Sequence, residues 1–132
     1  MARILFVDDE PLIREEAVQL LRRDGHKVVH ASNGREAIRM LDTVPVDLVV
    51  MDVVMPQQDG LETIAEIRER DDEMRNVKIL SISNGGASCD PSMHLKSADL
   101  FGANRVLPKP FCLAELRAAI DELIGDPSAA AR

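Results

Sequence analysis

The stretch VDLVVMDVVMP, residues 46–56, decides the fold of this chain. Its centre, residues 48–51, is an unbroken apolar run with β-branched residues in the middle, which is typical of a strand covered on both faces in a parallel sheet. Asp52 ends that run. Because open α/β sheets place their chemistry at the carboxyl ends of strands, this aspartate is the first candidate functional residue.

Short apolar runs alternate with amphipathic segments five times along the chain. This alternation predicts an α/β fold, a doubly wound five-stranded parallel sheet with helices on both faces. The predicted strands are residues 3–7, 27–31, 48–51, 77–82 and 105–107. The first and third runs are the most apolar and the second and fifth the least, so we expect the flavodoxin-like order 2-1-3-4-5.

Helix signals follow each predicted strand. The five helices are predicted to begin near Pro11, Asn33, Asp59, Asp90 and Pro110. In the last helix we expect Leu113 to face inward, and Cys112 occupies the N-cap position, where a hydroxyl would serve better. The charged residues 68–73 are expected to form a solvated helix end and loop.

Composition bounds the class of protein. At 132 residues the chain is expected to form one domain, residues 1–125, followed by a flexible tail, residues 126–132. A net charge of -7 without a cluster of Lys and Arg argues against nucleic-acid binding. No apolar run is long enough for a secretory signal or a membrane span, so we expect a cytoplasmic protein, and a monomer or weak dimer.

Polar side chains follow four of the five predicted strands. They are Asp8 and Asp9, then Asp52, Ser83 and Lys109. Each alone has an ordinary structural explanation, such as a helix cap, a bonded loop amide or an exposed lysine. The ends of parallel strands meet at one edge of a sheet, however, so we expect these side chains to converge.

The chemistry of this set points to phosphoryl transfer. Three carboxylates held together repel one another unless a cation is bound, and oxygen ligands without His or Cys favour Mg²⁺ over zinc. Lys109 adds a positive charge and Ser83 a hydroxyl donor. These features predict a pocket in which Asp52 attacks a phosphoryl group in line while Asp8 and Asp9 hold the metal.

Four motifs, ILFVDDEP, LVVMDVVMPQQDG, ILSIS and VLPKPF, together resemble the receiver domain of two-component response regulators, of the stand-alone, CheY-like kind, over nearly the whole chain. The resemblance implies that a sensor histidine kinase or a histidine phosphotransfer protein phosphorylates Asp52, and that Ser83 and Lys109 contact the phosphoryl oxygens. It also implies a Mg²⁺ site formed by Asp8, Asp9, Asp52 and the backbone carbonyl of Val54.

Two positions depart from the family pattern. Receivers commonly carry Tyr or Phe three residues before the lysine, where this chain has Val106, and Ala or Gly after the Ser or Thr, where it has Asn84. A valine has no ring to turn inward during switching. We therefore expect a switch formed by Ser83, Asn84 and Val106 that works without the aromatic movement.

Only seven residues follow the last predicted helix, so we expect a single-domain regulator whose output is binding to an unknown protein, a relay step or removal of phosphate from a kinase. Phosphorylation would alter the face formed by the fourth helix, fifth strand and fifth helix. The chain would not be an enzyme beyond Mg²⁺-dependent phosphorylation and dephosphorylation of itself.

Three other functions are considered. A degenerate receiver would bind partners without phosphate, which the absent aromatic residue favours and the complete acidic set opposes. A Mg²⁺-dependent phosphatase of another α/β family typically needs an acid two residues after the nucleophile, where this chain has Val54. A nucleotide-binding module is disfavoured because neither GxGxxG nor GxxxxGK occurs.

Overall fold

The fold is taken from a computed structural model that describes residues 2–53, 60–84, 102–109 and 111–124, without the side chains of Ser83, Asn84 and Lys109. The strands are β1 (Arg3–Val7), β2 (Lys27–Ala31), β3 (Leu48–Asp52), β4 (Lys78–Asn84) and β5 (Arg105–Lys109). All neighbouring strands are parallel, in the order β2-β1-β3-β4-β5. The predicted sheet and its order are confirmed.

The helices described are α1 (Pro11–Arg23), α2 (Gly34–Thr43), α3 (Gly60–Arg68) and α4 (Leu113–Ile124), with a short 3-10 helix at Glu73–Asn76. The start signals at Pro11 and Asn33 are confirmed, and the Asn33 side chain accepts a hydrogen bond from the Glu36 amide at 2.8 Å. The sequence did not predict the 3-10 helix. The helix predicted from Asp90 and the tail at residues 126–132 lie outside the described residues.

The core lies on both faces of the sheet, which explains why β3 is apolar without alternation. All five residues of β3 are buried. Leu48 and Val50 pack on one face with residues of α1 and α4, while Val49 and Met51 pack on the other face with residues of α2 and α3. Because successive side chains of a strand point to opposite faces, a strand covered on both sides is apolar at successive positions, here residues 48–51, and only Asp52 at its end is charged.

Among the described residues, two large apolar side chains are exposed. Leu12, in the first turn of α1, is 76% exposed, and Leu113, the first residue of α4, is 40% exposed. The prediction that Leu113 faces inward is therefore wrong. Phe111, two residues earlier, packs against the core cluster instead, so the apolar stripe of the helix begins at Leu116.

Arg68, the last residue of α3, joins three separate parts of the chain. Its guanidinium donates hydrogen bonds to the carbonyls of Gly102 (2.8 and 3.0 Å), Arg75 (2.8 Å) and Val77 (2.6 Å), and to the side-chain oxygen of Asn104 (2.9 Å). Burial lowers the pKa of Arg68, which remains protonated as arginines do. We call this arrangement the Arg68 clamp.

The Arg68 clamp changes the interpretation of the charged residues 68–73. They were expected to be a solvated helix end, yet Arg68 is half-buried and Arg70 lies between Asp42 and Asp72, 2.7 Å from a carboxylate oxygen of each. The hydrogen bond from Arg70 lowers the pKa of Asp72. This segment therefore fixes the turn from α3 into β4.

Gly60 allows α3 to begin directly against the end of β3. A Cβ at this position would lie 2.3 Å from the carbonyl oxygen of Asp52 and 2.5 Å from the Cα of Val53. Both neighbours are backbone atoms, which cannot move aside as the end of a side chain could. The absence of a side chain at Gly60 thus sets how closely α3 approaches Asp52.

The Gly60→Ala substitution is expected to lower the free energy of unfolding by about 1–3 kcal/mol, because the added methyl overpacks the backbone of Asp52 and Val53. Chemical denaturation measures the change. The amide NMR signals of Asp52 and Val53 should also shift. Gly25→Ala is the matched control, since it also replaces a glycine and is strained by the φ of 94° there, but it follows α1 on the other face of the sheet and should leave those two signals in place. An unchanged unfolding midpoint for Gly60→Ala would contradict the argument.

The start of α4 carries half of a capping box. The amide of Cys112 donates a hydrogen bond to Glu115 Oε1 at 3.0 Å, and this bond lowers the pKa of the Glu115 carboxyl. The reciprocal contact would need a good acceptor on the residue before the helix, and a thiol is a weak one. The sequence-based assignment of Cys112 to the N-cap position agrees with this geometry.

Cys112→Ser is expected to raise the free energy of unfolding by about 0.5–1 kcal/mol, because its hydroxyl can accept a hydrogen bond from an amide of the first turn. The denaturant midpoint of the variant, compared with that of Cys112→Ala, measures the effect. The alanine variant should show no gain. A serine variant with an unchanged or lower midpoint would rule out the capping explanation.

Candidate metal and phosphoacceptor site

Two neighbouring strands place the central carboxylates side by side. Val7 at the end of β1 is paired with Met51 of β3, so the next residues along each strand, Asp8 and Asp52, are adjacent. Asp8 is fully buried, Asp52 is 1% exposed, and Asp9 is half-buried. One carboxylate oxygen from each of the three lies within 4.8 Å of the others. The structure therefore brings together the three aspartates that the sequence predicted to converge.

Three hydrogen bonds hold the turn between β1 and α1. The amide of Asp8 donates to the carbonyl of Ala31 at 3.2 Å, which extends the pairing with β2 by one residue. The Asp8 carboxylate accepts from the amide of Glu10 at 2.9 Å. The guanidinium of Arg14 donates to the Asp8 carbonyl at 2.9 Å. The amide, the carboxylate and the carbonyl of Asp8 are thus each held in place by a hydrogen bond.

Asp52 is held by the backbone around it. It is paired with Ile82 of β4, and the next amide, that of Val53, donates to the Ile82 carbonyl at 2.9 Å. Gly60 contacts the same peptide from the other side, as described above. The backbone that carries the Asp52 side chain is therefore held in place on the central strand of the sheet.

The donor set suits a hard divalent cation. Two carboxylates about 4 Å apart repel each other by about 4 kcal/mol at an effective dielectric constant of about 20. A bound cation removes this repulsion, and a set of carboxylate oxygens fits Mg²⁺ better than a metal that prefers nitrogen or sulfur. Asp8, Asp9 and Asp52 would hold the ion. The predicted fourth ligand, the carbonyl of Val54, lies outside the described residues.

The remaining predicted residues lie on the neighbouring strands. Ser83 and Asn84 end β4, Lys109 ends β5, and Asn84 pairs with Lys109, so their backbones reach the same edge of the sheet as Asp52. Their side chains are outside the described part, and their roles stay predictions. Val106 is half-buried and pairs with Ser81, whose side chain is buried.

Two residues that shape this site, Arg14 and Gly60, were not predicted from the sequence. Arg14 is the fourth residue of α1, close to the positive end of the helix dipole, where a cationic side chain is disfavoured. An arginine at this unfavourable position could have indicated that its guanidinium binds a nearby acceptor. Gly60 has no comparable signal, because close packing of backbone against backbone leaves no trace in composition.

Within the described residues, no helix combines the length and apolar character that crossing a membrane would require.

Comparison with known proteins identifies the family. Residues 4–121 match the model of the response regulator receiver domain. The response regulator MprA of Mycolicibacterium vanbaalenii is 36% identical over 125 residues, which cover 92% of this chain and 50% of that protein. The chain thus spans about half the length of the curated relatives it matches.

Solved structures agree with this match. The chemotaxis response regulator CheY4 of Vibrio cholerae superposes with a TM-score of 0.83 at 28% identity, covering 93% of this chain and 98% of that one. The response regulator TrrA of Thermotoga maritima, solved in complex with Mg²⁺-BeF, has a TM-score of 0.75 at 32% identity, with 93% and 99% covered. On the sheet order, the convergent aspartates and these matches, the chain belongs to the receiver domain family of two-component response regulators.

Proposed function

We propose that this receiver domain accepts a phosphoryl group on Asp52 from a phosphohistidine of a sensor histidine kinase or a histidine phosphotransfer protein. One observation carries the proposal: the buried carboxylate of Asp52 ends the central strand within 4.8 Å of those of Asp8 and Asp9. The Mg²⁺-BeF complex of the related protein TrrA gives further support.

In this proposal a carboxylate oxygen of Asp52 attacks phosphorus, forming an O–P bond, while the N–P bond to the donor imidazole breaks and its electron pair stays on the leaving nitrogen. Asp8, Asp9, Asp52 and the Val54 carbonyl would hold Mg²⁺, which when bound would offset the charge of the carboxylates and of the phosphoryl oxygens. The hydrogen bonds around Asp8 hold its carboxylate close to that of Asp52.

Ser83 and Lys109 are proposed to contact the phosphoryl oxygens. The strands that carry them, β4 and β5, lie on one side of β3 and end at the same edge of the sheet. A hydroxyl can donate one hydrogen bond to a phosphoryl oxygen, and an ammonium group supplies a compact positive charge. Asp8 and Asp9 approach from β1, on the other side of β3.

The phosphoryl donor is proposed to dock on the first turns of α1 and α4. These helices pack against each other, and both begin at the edge of the sheet that holds the aspartates. Their first turns carry the exposed side chains of Leu12 and Leu113. An apolar contact beside the site would allow a helical donor to hold its histidine over Asp52.

The output is proposed to be a changed surface for a protein partner, formed by the helix predicted from Asp90 together with β5 and α4, the fifth predicted helix. Phosphorylation replaces a singly charged carboxylate by a group with more charge and more acceptor oxygens, which reorders nearby backbone. With Val106 in place of an aromatic residue, the response would run through Ser83 and Asn84. The stand-alone organisation, the oligomeric state and the cytoplasmic location stay predictions.

We also propose that the domain does not turn over a separate phosphate ester. The residue two positions after Asp52 is Val54, which cannot protonate a leaving alcohol. An assay with a chromogenic phosphate ester tests this directly. Sustained release of the chromophore that disappears in Asp52→Asn would overturn the assignment.

Incubation of the chain with Mg²⁺ and acetyl phosphate is expected to add one phosphoryl group, detected by intact mass spectrometry. The gain should vanish in Asp52→Asn, because the amide cannot act as the nucleophile, and should require Mg²⁺. Asp47→Asn is the matched control, since it removes the same charge just before the same strand, where Asp47 accepts a hydrogen bond from the Arg3 amide. That variant should be phosphorylated like the wild type.

The degenerate receiver predicts a different result. It would show no gain of mass with acetyl phosphate and no binding of Mg²⁺, and either result in the folded wild-type chain would count against the proposal. Phosphorylation that persists in Asp52→Asn would instead show that another residue is the acceptor.

A further inference from the structure

We propose that Arg14 is a positioning residue for the cation site, holding the peptide bond between the metal-binding residues Asp8 and Asp9. The inference rests on the proposed function. Its basis is the 2.9 Å hydrogen bond from the Arg14 guanidinium to the Asp8 carbonyl, which is partly shielded from water. Arg14 is not itself a ligand of the cation, so it can act on the site only by holding the backbone of Asp8 and Asp9.

The geometry of the peptide bond transmits this contact. A trans peptide is planar, with its C=O and N–H pointing in opposite directions, so fixing the Asp8 carbonyl also fixes the amide and Cα of Asp9. The other groups of Asp8 are held by Ala31 and Glu10. The Arg14 contact therefore fixes the amide plane and the Cα position from which the Asp9 side chain starts, and leaves only the rotations about the bonds of Asp9 itself.

The direction in which Mg²⁺ affinity changes when Arg14 is removed distinguishes a positioning role from a purely electrostatic one. A guanidinium beside three carboxylates opposes the binding of a second cation by Coulomb repulsion. If charge were its whole effect, removing Arg14 would tighten Mg²⁺ binding. If Arg14 positions Asp9, its removal weakens binding, because the carboxylates no longer start from the required directions.

Arg22 provides a matched control on the same helix. Its guanidinium donates to the carbonyl of Val28 at 3.0 Å in a partly buried contact, as Arg14 does to Asp8. Arg22 lies at the far end of α1, next to the start of β2 and away from the aspartates. Replacing it removes the same charge and the same kind of hydrogen bond without touching the cation site.

The experiment compares Mg²⁺ affinity in wild type, Arg14→Met, Arg14→Lys and Arg22→Met by calorimetry. Arg14→Met is expected to bind Mg²⁺ about tenfold more weakly, the loss typical of residues that orient metal ligands. Arg14→Lys, which keeps the charge and one donor, should fall between it and the wild type. Arg22→Met should bind as the wild type does. If Arg14→Met does not fold, weaker binding by Arg14→Lys supports the proposal and unchanged binding overturns it.

A second measurement uses the cation-free protein. Amide hydrogen exchange at Glu10, whose N–H donates to the Asp8 carboxylate, should be faster in Arg14→Met than in Arg22→Met once each is corrected for global stability. Equal exchange, together with Mg²⁺ binding as tight as in the wild type or tighter, overturns the role of Arg14.

The two proposals fail in different ways. A wild-type chain that binds no Mg²⁺ and gains no phosphoryl group overturns the proposed function, and this inference with it. A wild type that is phosphorylated beside an Arg14→Met variant with unchanged Mg²⁺ affinity overturns the inference alone.

Discussion

The repulsion among three carboxylates held within 4.8 Å of one another is the constraint on which the rest of this structure depends. Two of them, Asp8 and Asp52, are buried, where water cannot screen their charges. The pairing of β1 with β3 forces them together, since both strands end at the same level. The rest of the sheet must therefore be stable enough to offset the repulsion among these carboxylates when no cation is bound.

That stability comes from the same strand that creates the repulsion. β3 is buried along its whole length between two apolar clusters, one formed with α1 and α4 and the other with α2 and α3. Burial of large aliphatic side chains contributes about 1.5–3 kcal/mol each. Gly60 then lets α3 lie against the backbone of Asp52, so that the main chain carrying this carboxylate is held in place by its neighbours. The clustered carboxylates destabilise the fold locally, and the packing of β3 against the helices on both faces compensates for this.

The sequence predicted those features that depend on local pattern. Apolar runs such as residues 48–51 located the strands, their relative apolarity ordered them, and the position of Asp8 and Asp52 directly after two of those runs predicted their convergence. Features that depend on a long side chain reaching a distant or neighbouring backbone group could not be found in this way. Arg14 is one example and Arg68 another, since no periodicity indicates which carbonyl an arginine will contact.

Boundaries were the other weakness, for a physical reason. β5 continues to Lys109 through Pro108, and β4 to Asn84, because pairing with a neighbouring strand extends residues whose own composition favours a turn. Leu113 was assigned inward by helical spacing alone, although Phe111 takes the place against the core. In each case a tertiary neighbour, absent from any local pattern, decided the outcome.

The Arg68 clamp has a consequence for how the domain responds to its surroundings. All of its acceptors are neutral oxygens, and its donor keeps its proton under any condition in which the protein is folded. The three aspartates lie at the carboxyl ends of β1 and β3, whereas this joint lies before β4 and β5, at the amino ends of their strands. The sheet thus has clustered carboxylates at one edge and, at the opposite edge, a permanently charged arginine whose acceptors are all neutral.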